Sequence, residues 1–180
     1  MKEKKETKAI QHCYDVKKYV NTKGWLNYGL PTMVICGVIY YFLMAGPMPL
    51  IAVGADIWLS VLITVFVCAA TGIPGIRADI RKGAAPLAES PKWEHPVYRH
   101  FSDKLLLQAI QFAALSTVIF GFGLGGLLAV IAVMSGNMDM AFPPVVYWIA
   151  KSIYSGLFVA LAMKWVTNCT LSQYCTGKDF

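Results

Sequence analysis

Charged residues are scarce in this chain. Only 14% of its 180 residues are Asp, Glu, Lys or Arg, whereas 57% are hydrophobic. A soluble domain usually contains about 25% charged residues, and the mean hydropathy of this chain is +0.53. The shortage of charge argues against an ordinary soluble domain and predicts an integral membrane protein.

The chain also lacks a recognisable catalytic, cofactor-binding or metal-binding motif. Its five cysteines and three histidines do not have the spacing of a structural zinc site, and Cys169 with Cys175 is a weak candidate. We predict no catalytic residue, no cofactor and no metal ion. The segment Trp93-Glu94-His95 leaves a membrane enzyme open as the least favoured function. The polar residues at the cytoplasmic side show no catalytic spacing: Asp79, Glu94, His95, His100 and Asp103.

Membrane strands alternate apolar and polar residues, and this alternation is missing here. Instead, long apolar runs cover residues 26–45, 50–73, 105–134 and 144–166. A helix of about 20 apolar residues spans the hydrocarbon core and satisfies its own backbone hydrogen bonds in lipid. We predict an all-α membrane protein, a four-helix bundle whose transmembrane helices form two helical hairpins.

Lys and Arg are absent from two of the connections between these runs, and their distribution predicts the orientation. Residues 45–49 and 135–143 contain neither, whereas residues 1–24 contain seven Lys and residues 74–104 contain six Lys or Arg. Segments rich in Lys and Arg stay in the cytoplasm. We therefore expect the N and C termini to be cytoplasmic and the two Lys- and Arg-free connections to lie outside.

The chain accordingly divides into five segments. A basic cytoplasmic leader (1–24) precedes transmembrane hairpin 1 (25–73). A basic cytoplasmic loop (74–104) leads to transmembrane hairpin 2 (105–166), and a cytoplasmic tail (167–180) follows. We predict a multi-pass protein of the cell membrane, inner or plasma. The net charge of +6 indicates contact with anionic lipid head groups and not with nucleic acid.

Two ionisable residues, Asp56 and Lys151, lie inside the apolar runs away from the cytoplasmic ends. A charge in hydrocarbon costs about 2.5–3.5 kcal/mol or more and normally faces protein or water. Their depths from the outer helix ends are similar, roughly 9 and 12 Å at 1.5 Å per residue. We predict that they pair across the two hairpins and bind a substrate with Trp58 and Tyr154. A packing pair, or a lysine that reaches the outer interface, is the more common role of ionisable groups near helix ends.

Small, amide and aromatic residues predict how the helices pack. Gly121 and Gly125 have the spacing at which two helices approach closely. Gln108 and Gln111 are expected to bond to a neighbouring helix or to line an inner vestibule. Aromatic residues at the span ends are typical interfacial anchors, and here they are Trp25, Tyr28, Tyr147, Trp148 and Trp165. Deeper aromatic residues either pack or surround a ligand, and here they are Tyr40, Tyr41, Trp58 and Tyr154.

Segments that mix aromatic and small residues lie in the first and fourth runs, Cys36-Gly37-Val38-Ile39-Tyr40-Tyr41 and Tyr154-Ser155-Gly156-Leu157-Phe158. With two helical hairpins and a basic central loop over residues 25–168, the chain resembles a family of small bacterial four-helix membrane proteins with a tandem two-helix domain of unknown function. The resemblance implies the helical layout. It implies no activity, because the family has no established one.

Two classes of function fit these features. The favoured class is a small transporter or channel, as a monomer or a homo-oligomer, with a polar site near Asp56 and Lys151. The alternative is a non-catalytic accessory or anchoring subunit of a larger membrane complex. A pocket that reaches Lys151 between the hairpins favours transport, whereas a dry, well-packed bundle favours the accessory subunit.

Overall fold

Long helices account for most of the structure. The computed structural model describes residues 15–43, 46–86, 98, 100–135 and 141–175. In these residues the helices are α1 (Asp15–Leu43), α2 (Leu50–Arg81), α3 (105–135) and α4 (Pro144–Cys175). All four contain a segment long and apolar enough to cross a membrane, which confirms the predicted number and type of elements. Glu94, His95 and most of the predicted leader lie outside the described residues.

The helices extend beyond the apolar runs from which they were predicted. Helix α2 continues through Pro74 to Arg81, and α4 continues to Cys175, so that each has 32 residues. At 1.5 Å per residue each is about 48 Å long, whereas the hydrocarbon core is about 30 Å thick. Both helices are therefore long enough to project beyond a bilayer.

Helices α2 and α4 supply most of the interior. One face of α2 is buried along its whole length, with residues repeating every three or four positions, as expected for a helix that packs on one side: Val53, Ile57, Val61, Val65, Ala69, Ile73, Ile76 and Ile80. Helix α1 exposes many large apolar side chains, among them Val34, Ile35, Val38, Ile39 and Phe42. An apolar exterior of this kind suits a lipid environment.

Short β-strands tie the two hairpins together at one end of the bundle. Strand β1 (Met48–Pro49) pairs antiparallel with β2 (Ala141–Phe142), and Met48 is opposite Phe142. Each strand leads directly or after one residue into a helix, and Pro144 occupies the first position of α4, where its missing N–H is tolerated. The two Lys- and Arg-free connections thus meet at the same end.

Contacts at the opposite end join the other helix termini. The Lys23 ammonium pairs with the Asp79 carboxylate at 2.7 Å, which links the start of α1 to the end of α2. The side-chain amide of Gln173, near the end of α4, donates to the Phe101 carbonyl at 3.0 Å. The segment before α3 therefore lies at the same end as both termini of the helical part of the chain.

Helices α1 and α4 approach each other very closely at small residues. Residues Thr22–Gly29 of α1 form a π-helical stretch. A Cβ on Gly29 would lie 2.7 Å from the Ala160 Cβ, and a Cβ on Gly156 would lie 2.9 Å from the Gly29 carbonyl oxygen. Only glycine fits at such distances. Gly156 and Ala160 are four residues apart, so this contact uses the small-residue spacing expected between membrane helices.

Candidate functional site

Asp56 of α2 and Lys151 of α4 form an ion pair between the two hairpins. The Lys151 ammonium lies 2.7 Å from Asp56 Oδ2, and it also donates to the Asp56 main-chain carbonyl at 3.1 Å. Lys151 is only 3% exposed. A buried ammonium must be compensated by an opposite charge or by hydrogen bonds, and Asp56 supplies both. The predicted pair is confirmed.

Hydroxyl groups complete the surroundings of the carboxylate. The Tyr147 hydroxyl donates to Asp56 Oδ2, and the Tyr40 hydroxyl donates to Oδ1 at 3.2 Å. The Ser60 hydroxyl lies 3.4 Å from Oδ1 and 2.9 Å from the Tyr40 hydroxyl. The cluster, defined as Tyr40, Asp56, Ser60, Tyr147 and Lys151, therefore joins α1, α2 and α4.

The prediction that Tyr147 is an interfacial anchor is wrong. Its side chain is buried at 4% exposure and bonds to Asp56, because the first turn of α4 turns this residue inward. Tyr147 precedes Lys151 by four residues, and Ser60 follows Asp56 by four residues, so each lies on the same helix face as its charged neighbour. That spacing was a signal in the sequence that pointed to both residues.

The two charges differ in their access to solvent. The Lys151 side chain is 1% exposed, whereas the Asp56 side chain is 26% exposed. The Lys151 ammonium also lies 5.4 Å from the centre of the Tyr40 ring, a distance at which a cation is attracted to the face of an aromatic ring. Asp56 thus reaches the surface of the helix bundle, while the charge on Lys151 is held inside.

A cleft of about 150 Å³ adjoins the cluster between α2, α3 and α4. Its wall is apolar except where Lys151 and two tyrosines contribute to it. The lining residues are Val53, Ile57, Leu124, Leu128, Phe142, Val146, Tyr147, Ala150, Lys151 and Tyr154. The cleft joins the two hairpins at Lys151, and its surface is suited to an apolar group.

Tyr154 lies at this cleft, but Trp58 does not belong to its wall. The Tyr154 hydroxyl donates to the Phe120 carbonyl at 2.6 Å, inside the π-helical turn Thr117–Gly121 of α3. Such turns interrupt the regular helical hydrogen-bond pattern, and Tyr154 satisfies a carbonyl there. Three of the four predicted binding residues, Asp56, Lys151 and Tyr154, are thus brought together around the cluster and cleft.

Trp58 packs against the glycines of α3. A Cβ on Gly121 would lie 3.3 Å from the Trp58 ring, and a Cβ on Gly125 would lie 3.6 Å from it. The ring centres of Trp58 and Phe122 are 4.0 Å apart. Gly121 and Gly125 thus pack against an indole ring, and the structure does not show the close approach of two helix backbones that their spacing predicts.

The amides of α3 connect neighbouring segments at the opposite end. Gln108 is fully buried; it accepts a hydrogen bond from Arg77 at 3.2 Å and donates to Gln173 at 3.1 Å. Gln111 accepts a bond from the Ser102 amide at 2.8 Å. Of the two roles predicted for these amides, the structure supports bonding to neighbouring segments.

Within residues 15–43, 46–86, 98, 100–135 and 141–175, no three His, Cys, Asp or Glu side chains come close enough together to hold a metal ion. Cys169 is buried and lies 3.6 Å from the Gln108 amide. It therefore takes part in the packing of α3 on α4.

Comparison with known proteins gives no match to a family model, a curated protein or a solved structure. The candidate site therefore rests on its own geometry: a charge pair with three hydroxyl groups around the carboxylate, next to an apolar cleft.

Proposed function

We propose that this chain is a small transport protein of the cell membrane, with a polar site at Asp56 and Lys151. The observation that carries the proposal is the ion pair between the hairpins, at the edge of a cleft that also involves α3. A buried charge within a membrane helix is costly, and such residues commonly mark pathways for ions or substrates.

The orientation is part of the proposal. The end of the bundle with the β1–β2 pair would face outward, and both termini with the basic loop would face the cytoplasm. Support comes from the distribution of Lys and Arg and from the contacts that bring the helix termini and the loop to one end. Asp56 would then lie near the outer side, about 9 Å from the start of α2.

A homo-oligomer would complete the pathway. Four helices enclose little space, and the cleft is a shallow space of about 150 Å³, not a passage through the bundle. The apolar face of α1, which includes Val34, Val38 and Phe42, offers a surface for a second copy in the membrane. Each copy would have its own Asp56 and its own Lys151.

An accessory subunit is the second candidate, and the apolar wall of the cleft favours it. A partner helix could place an apolar side chain there, and the satisfied Asp56–Lys151 pair would then hold the hairpins in register. In that case the pair would contribute to stability alone.

Flux measurements on the full chain in phosphatidylethanolamine–phosphatidylglycerol liposomes test the proposal. Probes are protons, chloride, nitrate, acetate and benzoate, followed with an entrapped pH dye and by light scattering. We expect flux above that of empty liposomes for at least one ion, lost in the Asp56→Asn/Lys151→Met double variant. The matched control is Lys23→Met/Asp79→Asn, which removes a pair of equal length and should retain flux.

Equal flux in the wild type and the Asp56→Asn/Lys151→Met variant would contradict the transport proposal. The same holds if no ion of this set crosses faster than through empty liposomes. Co-purification of the chain with a second membrane protein, at a yield that falls when the cleft is filled, would then favour the accessory subunit. Filling the cleft with Leu124→Trp would prevent that co-purification.

Cysteine labelling tests the orientation. A cysteine at Gly46 or Gly136 should react with an impermeant maleimide in intact cells, and one at Lys82 should react only after lysis. Lys82 is exposed at the end of α2, whereas native Cys169 is buried and would stay unlabelled on either side. Labelling of Lys82→Cys in intact cells would reverse the orientation.

A further inference from the structure

We infer that protonation of Asp56 turns Lys151 into a binding site for a small monocarboxylate with an apolar body. The carboxylate of the ligand would replace Asp56 as the partner of the ammonium, and its apolar body would fill the adjoining cleft. The inference rests on the proposed transport function and names its substrate class as an organic acid anion carried with one proton.

The partners of Lys151 explain why an anion is needed. Its ammonium has the Asp56 carboxylate at 2.7 Å, the Asp56 carbonyl at 3.1 Å and the Tyr40 ring at 5.4 Å. Protonation of Asp56 removes the only negative charge among them. Lys151, 3% exposed, then has only dipoles around its ammonium. A buried charge without an opposite charge is strongly unfavourable. A ligand carboxylate restores the balance.

The groups around Asp56 make its carboxyl group the proton acceptor. Lys151 and Tyr147 face it from α4 and Tyr40 from α1, and Cys36 of α1 is close enough to interact with it electrostatically. Helix α3 adds only apolar residues to the cleft wall. At neutral pH in water a carboxylate is free to accept a proton, whereas thiol, phenol and ammonium groups already carry theirs. Of the two charged side chains, Asp56 is the exposed one, at 26% against 1% for Lys151.

The cleft determines the shape of the anion. Val53, Ile57, Leu124 and Leu128 form much of its wall, and Lys151 is the charged residue among its lining. An apolar cavity of roughly 150 Å³ holds a molecule the size of benzene, which matches the cleft volume of about 150 Å³. The complementary ligand carries one negative charge on an apolar body of about six carbon atoms.

The charges balance when both ions bind. Asp56 changes from negative to neutral as it takes up one proton, and the ligand brings one negative charge to Lys151. The net charge of the site stays at zero, so the step avoids an unpaired charge in the membrane. Binding of the anion and uptake of the proton should therefore occur together.

Benzoate binding to the full-length protein in detergent tests this inference. Equilibrium dialysis with radiolabelled benzoate at about pH 5 and about pH 8 should give tighter binding at the lower pH, by up to about tenfold per pH unit. Asp56→Asn mimics the protonated residue and should bind equally at both values. Lys151→Met should bind no more than empty micelles, and Leu124→Trp should block the cleft. The matched control Asp79→Asn should behave as the wild type.

Three results would overturn the inference. They are benzoate binding by Lys151→Met at the wild-type level, wild-type binding that does not depend on pH, and binding of palmitate in preference to benzoate. The wild-type pH series needs no substitution, so it decides the matter even if Asp56→Asn fails to fold. Benzoate binding without flux in liposomes would contradict the proposed transport function and support the binding site. Flux of an inorganic ion without benzoate binding would support the proposed transport function and contradict the binding site.

Discussion

Helix α2 carries an aspartate near each end, and both aspartates pair with lysine in nearly the same way. The N–O distance is 2.7 Å in Asp56–Lys151 and in Asp79–Lys23. A tyrosine hydroxyl donates to each carboxylate, and each ammonium lies 5.4 Å from the centre of a tyrosine ring. In these three contacts the two sites match, and the Asp56 site adds the hydroxyls of Tyr40 and Ser60.

The difference lies in the lysine. The side chain of Lys151 is 1% exposed and that of Lys23 is 18% exposed, whereas the two aspartates have similar exposures of 26% and 29%. Lys23 is exposed enough to be solvated when its partner is lost, whereas Lys151 is enclosed by protein while the pair is intact. Burial of the cation, not the length of the ion pair, therefore makes Asp56–Lys151 the candidate functional site.

Replacing each aspartate in turn should give the largest difference in stability between the two sites. We expect Asp56→Asn to lower the free energy of unfolding by about 3–5 kcal/mol, because it leaves a buried ammonium unpaired. Asp79→Asn should cost less than about 1 kcal/mol, as exposed pairs do. Unfolding in mixed micelles by SDS titration measures both. Equal losses would mean that burial of Lys151 does not distinguish the sites.

A double-mutant cycle sharpens the comparison. Asp56→Asn and Lys151→Met should each destabilise the chain more than the double variant does, because the double variant leaves no unpaired charge. The coupling energy should reach about 3 kcal/mol at Asp56–Lys151 and stay below about 1 kcal/mol at Asp79–Lys23. Additive effects within about 0.5 kcal/mol would show that Asp56 and Lys151 act independently.

The cycle also separates packing from transport. A double variant that recovers both fold and flux would assign the pair to packing alone. One that recovers the fold and stays without flux is the expected result for a transport site.

The tyrosine hydroxyls should give the smallest difference in stability between the two sites. Tyr147→Phe should cost about 1.5–3 kcal/mol, since it removes a hydrogen bond to a charged group at a buried position. Tyr19→Phe removes the matching 2.7 Å bond to Asp79 and should cost under about 1 kcal/mol, because water can replace the hydroxyl. The SDS titration again provides the measurement. A larger loss for Tyr19→Phe would contradict the assignment of the buried site.

Much of the candidate site was predictable from the sequence. Asp56 and Lys151 stand out because charges are rare in apolar runs, and similar depth predicts their pairing. Ser60 and Tyr147 were within reach as well, since each is four residues from a charged partner on the same helix. Tyr40 was predicted only as a deep aromatic residue. Its contact with Asp56 depends on how α1 packs against α2, which residue spacing within a helix does not determine.

The fold was predictable in its number of helices but not in their ends. Hydropathy marks where lipid-compatible residues stop, whereas a helix continues as long as its hydrogen bonds are satisfied. Helix α4 therefore passes Val166 to reach Cys175. Helix α2 continues past Pro74 to Arg81, although proline lacks the N–H of a regular helical hydrogen bond. The π-helical stretches were not predicted; the first of them ends at Gly29, where α1 lies against Gly156.

The neutrality of the Asp56–Lys151 pair has a consequence for a protein in an energised membrane. In the proposed orientation, a membrane potential does no net work on two opposite charges 2.7 Å apart that move together. A single charge crossing the whole potential would gain or lose about 2.3 kcal/mol per 100 mV. Asp56→Asn leaves Lys151 as a single charge, and the site would lie across only a fraction of the membrane potential. That substitution would turn a site insensitive to voltage into one whose occupancy depends on the electrical state of the cell.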